Sequence, residues 1–248
     1  MRSITETVKH LLIINILFFI GKYAIGGITD YLALYFPENP HFKFWQPLTH
    51  MFMHGNLMHI LFNMFALYSF GTLLEQAWGG KKFLFFYISC GLGAALMHIG
   101  VNYISFYQGL DILISNGYDK NQILQILSEG KYSPQWEEVM TVSQFRDFMQ
   151  SYLTPAVGAS GAIYGILVAF AFMVPNAELM LLFFPVPVKA KYFVPGLLTL
   201  DLVLGLYGSS IFSGGSGIAH FAHIGGALTG FIMMWYWKKN QFNNNRWN

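Results

Sequence analysis

The sequence predicts an all-α membrane protein in which six helices cross the bilayer. Of its 248 residues, 54% are hydrophobic and only 10% are charged, whereas soluble domains carry about 25% charged residues. Six apolar stretches approach the roughly 20 residues that a helix needs to span a bilayer. They are approximately residues 10–28, 57–76, 82–104, 158–175, 193–212 and 218–237. We therefore expect a single membrane domain over residues 1–240 and a disordered tail over residues 241–248.

Each segment between the spans has its own character. The first span follows Arg2 and Lys9 without a small-residue cleavage site, so a retained helix is expected and not a signal peptide. Residues 29–56 contain three prolines and many aromatic rings, which favour a loop in the membrane interface. Residues 105–152 hold most of the acidic residues and are expected to form an extramembrane insertion of short amphipathic helices between helices three and four.

Charge places the chain in a membrane and argues against several classes of protein. Basic residues cluster on one side of a six-span arrangement, so the positive-inside rule predicts that both termini are cytoplasmic. Without an evident transit peptide, a bacterial cytoplasmic membrane is expected.

The net charge of +2, without a basic run that carries aromatics, predicts no nucleic-acid partner. The lone Cys90 excludes an internal disulfide and a paired-cysteine metal site. No internal repeat suggests a transporter.

Two separate spans carry polar groups that are costly in hydrocarbon and functional by default. Ser160 and Tyr164 lie four residues apart at the head of the fourth span, and Gly158 and Gly161 flank the serine. Taken alone, a serine between glycines is more typical of helix packing. In the sixth span, His223, Gly226 and Gly230 form one stripe, so a closely packed neighbour would meet the imidazole. His220 is expected to be an interfacial or packing histidine.

The second span adds a further polar pair. His59 and Asn63 are one helical turn apart, and both can donate hydrogen bonds to a developing oxyanion. A serine, a histidine and such donors are the parts of a nucleophile activated by a general base. His59 alone is equally consistent with a structural role.

In combination these residues resemble the rhomboid intramembrane serine proteases. The stretch from Trp45 to Asn63 is similar to the family's first loop and second span. Five further residues resemble landmarks of the family's second and third spans: Gly71, Glu75, Gly80, Tyr87 and Gly91. The segments around Ser160 and His223 are similar to its nucleophile and base motifs. The resemblance covers roughly residues 10–104 and 155–235, and the joint match is highly specific.

The resemblance implies a chemistry and a role for each residue. Ser160 would be the nucleophile and His223 the general base, and His59, Asn63 and the backbone amide of Ser160 would form the oxyanion hole. It implies no cofactor and no metal, single-span membrane proteins as substrates, and a bilayer as surroundings. The family has no acidic third member, so Asp201 is expected to mark the start of span five or to make a structural hydrogen bond. No oligomeric state is predicted.

Two departures from the family and two competing functions remain. Gln46 follows Trp45 where the family often has arginine, which puts the anchoring of the first loop in doubt. The insertion at residues 105–152 is long, and it is either a cap on the membrane surface or a gate for substrate. A non-catalytic relative that binds membrane clients is the alternative function. A membrane metal or haem protein is a further class, suggested by six histidines. These are His50, His54, His59, His98, His220 and His223.

Overall fold

A computed structural model of the chain describes residues 3–181, 184–207 and 218–241. This part of the chain contains twelve α-helices and a single two-stranded hairpin. The helices are α1 (Glu6–Ala24), α2 (Ile28–Leu32), α3 (Gln46–Thr49), α4 (Leu57–Ala66), α5 (Thr72–Trp78), α6 (Gly80–Ser115), α7 (Lys120–Ser128), α8 (Trp136–Val139), α9 (Val142–Leu153), α10 (Ser160–Met173), α11 (Ala190–Tyr207) and α12 (Ile218–Gln241). A 3₁₀ turn, His50–Phe52, follows α3, and a π-helical turn, Leu67–Gly71, joins α4 to α5. Apart from Gln241, the predicted tail lies outside the described residues.

The helices agree with the predicted all-α membrane class, but they do not establish six spans. Among the described residues, four helices are long and apolar enough to cross a membrane: α1, the continuous helix Leu57–Trp78, α6 and α11. Helix α10 has only 14 residues, which is about 21 Å at 1.5 Å per residue against a hydrocarbon core of roughly 30 Å. Helix α12 has 24 residues but carries two histidines and two lysines.

Several boundaries differ from the predicted ones. Helix α1 ends at Ala24, and the chain turns at Gly27, whose φ of 75° favours glycine. Helix α6 continues for 36 residues to Ser115, so the predicted insertion boundary at residue 104 falls within it. The end of predicted span five, residues 208–212, lies outside the described residues. The strands β1 (Glu178–Leu181) and β2 (Phe184–Lys189) form an antiparallel hairpin that was not predicted.

Helix α1 is fastened to α5 through its own N-terminus. The backbone N–H groups of Thr7 and Val8 donate to the two carboxylate oxygens of Glu75, at 2.9 and 2.8 Å. The first N–H groups of a helix have no partner within the helix, and a carboxylate there also complements the helix dipole. Glu75 therefore holds the start of the first membrane helix against the end of the second.

The first loop is anchored by Gln46, which is fully buried. Its side-chain Nε2 donates to the carbonyl oxygens of His41 at 2.9 Å and Asp30 at 3.2 Å, and its Oε1 accepts from the backbone N–H of Tyr35 at 3.2 Å. One neutral amide thus joins three points of the loop. Anchoring of this loop does not need the cation that the family often has here.

The predicted insertion contains amphipathic helices, as expected. They form a second apolar core against the C-terminal half of α6. Buried side chains from α6 to α9 meet there. They include Phe106, Leu110, Leu113, Ile123, Leu127, Trp136, Phe148 and Tyr152. Phe36 of the first loop packs into the same cluster, with its ring centroid 5.0 Å from that of Phe106. The insertion and the first loop are therefore one packed unit.

Helix α10 is largely buried, and its backbone approaches that of α12 so closely that only glycine fits at the contact. A Cβ on Gly226 would overlap the carbonyl of Gly161, and a Cβ on Gly230 would lie 2.8 Å from the Cα of Gly165. The predicted glycine stripe of the sixth span thus faces the fourth. This approach brings the start of α10 and the first turns of α12 within side-chain reach.

Candidate active site

Ser160 and His223 meet at the junction of α10 and α12. Nε2 of His223 lies 2.9 Å from Oγ of Ser160, within hydrogen-bond distance. Ser160 is the first residue of α10, which has 14 residues. The two residues are 63 positions apart in sequence, and the glycine contact between their helices sets the distance between them.

The imidazole of His223 is supported on one face by Tyr164. The two rings are stacked, with centroids 4.3 Å apart and an interplanar angle of 10°. Tyr164 lies one turn after Ser160 on α10, so the same helix carries the hydroxyl and the platform for the ring. Tyr164 therefore limits the positions that the imidazole can adopt beside Ser160.

Gly158 lets the chain before Ser160 pass close to His59. Its φ of 130° is one that side chains disfavour, and a Cβ there would lie 2.8 Å from Nε2 of His59. The Gly158 backbone N–H donates to the carbonyl of His50 at 2.9 Å. Two residues earlier, Ala156 pairs with Leu34 of the first loop in an antiparallel bridge. The segment before the serine is therefore held in an extended form.

Three potential hydrogen-bond donors belong to the candidate site around Ser160. His59 Nδ1 accepts from the backbone N–H of Gly55 at 3.4 Å, which assigns the ring proton to Nε2, the atom that faces Gly158. Asn63 follows one turn later on α4; it is buried, and its Nδ2 has no hydrogen-bond partner among the described residues. Ser160, as the first residue of α10, has a backbone N–H that no carbonyl within the helix can accept. These groups could stabilise an oxyanion.

Asp201 contacts the candidate site, where the sequence predicted only the start of a span or a structural hydrogen bond. It lies well inside α11 and is buried, so it does not mark the start of the helix. Its Oδ1 lies 3.3 Å from Nδ1 of His223 and also contacts Nδ1 of His220. The expectation of a structural hydrogen bond described only part of this, and His220 is not a simple packing residue. An acid within an apolar span was the available signal.

Two buried histidines of the first loop lie near the candidate site. His50 and His54 are 6% and 1% exposed, and burial lowers the pKa of His50 to about 4 and that of His54 to about 3. The His54 ring packs edge-on against that of His59, with centroids 5.1 Å apart. Both side chains are therefore neutral near pH 7.

The six histidines that suggested a metal or haem do not form one cluster. His98 lies 3.0 Å from the amide of Asn102, within α6. Among the described residues, Asp201, His220 and His223 are the only group of three or more potential ligands whose ligand atoms all lie within 4.8 Å of one another. Hydrogen bonds from both imidazoles to the carboxylate account for this group, so no ion is invoked.

Comparison with known proteins identifies relatives over most of the chain. A model of the Rhomboid domain matches residues 41–114 and 137–240. The chain is 31% identical over 202 residues to rhomboid protease AarA of Providencia stuartii, covering 76% of this chain and 54% of that protein. It is 27% identical over 188 residues to the mitochondrial rhomboid protein 1 of Saccharomyces cerevisiae, covering 76% and 40%. It is 24% identical over 234 residues to the human mitochondrial presenilin-associated rhomboid-like protein, covering 93% and 47%. The chain thus spans about half the length of these relatives.

Proposed function

Since the chain belongs to the rhomboid family, we propose that it is a serine endopeptidase that cleaves transmembrane segments of single-span membrane proteins. The observation that carries the proposal is the 2.9 Å contact between Ser160 Oγ and His223 Nε2. A serine hydroxyl is a weak nucleophile until an adjacent base accepts its proton. One relative is by name a protease, the rhomboid protease AarA.

The first step transfers a proton and forms a bond. Ser160 Oγ attacks the scissile carbonyl carbon while its proton passes to Nε2 of His223, which leaves a tetrahedral oxyanion and an imidazolium. The Ser160 backbone N–H, His59 Nε2–H and Asn63 Nδ2–H donate to that oxyanion. Each such donor is worth about 100- to 1,000-fold in rate.

The second half of the reaction returns the enzyme to its starting state. The imidazolium of His223 protonates the leaving amine, the C–N bond breaks, and an acyl-serine remains. Water then attacks the acyl group, His223 accepts a proton from it, and Ser160 leaves with that proton. The hydrocarbon core excludes water, so the water must reach the serine past Asn56, which is exposed, and His59, which is partly exposed.

The substrate segment has to be extended when it reaches Ser160. Carbonyls in a helix are hydrogen-bonded and shielded, so segments with small or helix-destabilising residues are the proposed substrates. The chain before Ser160 is already extended and pairs with Leu34 through Ala156. A substrate strand can add to its remaining edge, a common mode of peptide recognition.

The cellular membrane in which the chain lies is also part of this proposal. The chain is an integral membrane protein. Two of the relatives above are mitochondrial by name and one comes from a bacterium. The mitochondrial relatives give no support to the expected bacterial cytoplasmic membrane, and the cytoplasmic position of both termini remains a prediction. The non-catalytic, client-binding alternative gains nothing from the site, because both reactive side chains are present and in contact.

Cleavage of a membrane substrate in detergent tests the proposal. The purified chain is incubated with single-span reporter proteins whose membrane segments carry small residues, and the products are sized by mass spectrometry. We expect cleavage within the membrane segment by the unmodified chain and by the control variant Ser128→Ala, whose serine is exposed on α7. Ser160→Ala is expected to be inactive. Equal cleavage by Ser160→Ala would overturn the proposal.

A further inference from the structure

Asp201 is a carboxylate in a helix that is apolar enough to cross a membrane. It is 5% exposed. Ionisable groups at such depth are expensive and are retained where they are paired. Two of its partners come from the next helix: His220 and His223 are one turn apart on α12 and face α11. The Tyr164 hydroxyl on α10 is a further partner.

The contacts of His223 place acid and nucleophile on opposite ring nitrogens. Nδ1 lies 3.3 Å from Oδ1 of Asp201, and Nε2 lies 2.9 Å from Oγ of Ser160. A carboxylate is an acceptor only, so Nδ1 carries the proton and donates to it. Nε2 then has the free lone pair that must accept the serine proton. The same ring in the other tautomer would present an N–H to Ser160 and could not act as its base.

We propose that Asp201 is a positioning residue that holds His223 in the Nδ1–H tautomer and stabilises the imidazolium formed during proton transfer. The inference rests on the proposed function, because it assigns a part to Asp201 in that same reaction. It changes the site from a pair of residues to a line of three side chains on three helices: Asp201 on α11, His223 on α12 and Ser160 on α10.

His220 also binds the carboxylate. Its Nδ1 contacts the same oxygen of Asp201 as Nδ1 of His223 does. Hydrogen bonds to an ionised group are roughly twice as strong as neutral ones, and they restrict rotation of the acid. The titratable groups around His223 are Asp201, His220, Tyr164 and His59.

A purely structural role is the competing explanation, and kinetics separates the two. The variant Asp201→Asn keeps the shape of the side chain and one acceptor oxygen but removes its charge. We expect kcat to fall roughly 10,000-fold with little change in KM, as for other sites where an acid orients the base. The acid limb of kcat/KM is expected to move to lower pH, because the lost carboxylate no longer favours the protonated ring. The control is Asp111→Asn, an exposed acid on α6, which should match the unmodified chain.

Three kinetic outcomes are informative. A lower kcat with a shifted acid limb supports the proposal. An unchanged kcat and pH profile overturns it, and so does a lower kcat with an unshifted limb, since a packing defect would reduce activity equally at all pH values. If the unmodified chain cleaves nothing, the proposed protease function has failed. If it cleaves and Asp201→Asn behaves like it, only the role of Asp201 has failed.

A measurement on the unmodified chain covers the case in which Asp201→Asn does not fold. Nitrogen-15 spectra of histidine-labelled protein report which ring nitrogen is protonated, and the His223 signals are those that vanish in His223→Ala. We expect a protonated Nδ1 and an unprotonated Nε2 in the neutral ring. A neutral His223 protonated at Nε2 would overturn the inference, whatever the variant shows.

Discussion

The rings of Tyr164 and His223 lie parallel, with centroids 4.3 Å apart. This contact restricts the imidazole to the plane in which Nε2 reaches Ser160. Because Tyr164 and Ser160 share α10, any movement of α12 away from α10 disturbs the stacking and the 2.9 Å hydrogen bond together.

Removing the Tyr164 ring should therefore reduce turnover more than removing its hydroxyl. Aromatic pairs are worth about 0.5–1.5 kcal/mol, so Tyr164→Ala is expected to lower kcat about tenfold. Tyr164→Phe keeps the stacked ring and should retain most of the activity. Steady-state kinetics on a reporter substrate compares them; equal losses in the two variants would contradict a role for stacking.

Asn63 should contribute to the transition state and not to substrate binding. Its buried Nδ2 lacks a partner among the described residues, so it is free to donate to an oxyanion. Asn63→Ala is expected to lower kcat about 100-fold at unchanged KM. Asn116→Ala, at the exposed end of α6, is the control. A change in KM alone would remove Asn63 from the oxyanion hole.

A single methyl group should disrupt the contact between α10 and α12. Gly226→Ala places a Cβ against the carbonyl of Gly161, which cannot move without displacing the helix. Overpacking costs about 1–3 kcal/mol, so we expect a lower thermal midpoint in detergent and strongly reduced cleavage. Gly100→Ala on α6 is the matched control, since nothing lies within 4 Å of its added methyl. Full activity of Gly226→Ala would show that the close contact is not required.

Stability should fall in mild acid because of His50 and His54. Burial lowers their pKa values from 6.5 to about 4 and about 3, so the unfolded chain binds protons more readily than the folded chain. Their contribution is fully present above about pH 6.5 and is lost as the pH falls toward 4. Thermal midpoints measured from pH 7.5 to 4.5 should decrease, and less steeply in His54→Gln than in the control His41→Gln, whose histidine is exposed. Parallel slopes in both variants would contradict this.

The sequence predicted those parts of the site that depend on local spacing. Ser160 with Tyr164, and His59 with Asn63, are each one helical turn apart, so helix periodicity alone puts each pair on one face. The glycine stripe on α12 also predicted a close partner. Apolar runs indicated the membrane helices, although α10 proved too short to span by itself.

Long-range pairings were beyond the same reasoning. Asp201 meets His220 and His223 across 19 and 22 residues, and nothing in its own neighbourhood of the sequence predicts that α11 turns it toward them. The hairpin of β1 and β2 depends on cross-strand pairing, which propensity predicts poorly, and the prolines in β2 argued against a strand. Gln46 could not be understood before its three backbone partners were known.

Labelling with a fluorophosphonate probe examines the activated serine without a known substrate. The purified chain in detergent is compared with Ser160→Ala and His223→Ala, and the modified residue is located by mass spectrometry. We expect labelling of the unmodified chain at Ser160 and none in either folded variant, because the hydroxyl needs His223 to accept its proton. Labelling of His223→Ala at the full rate, or no labelling of the folded, unmodified chain, would contradict a serine activated by His223.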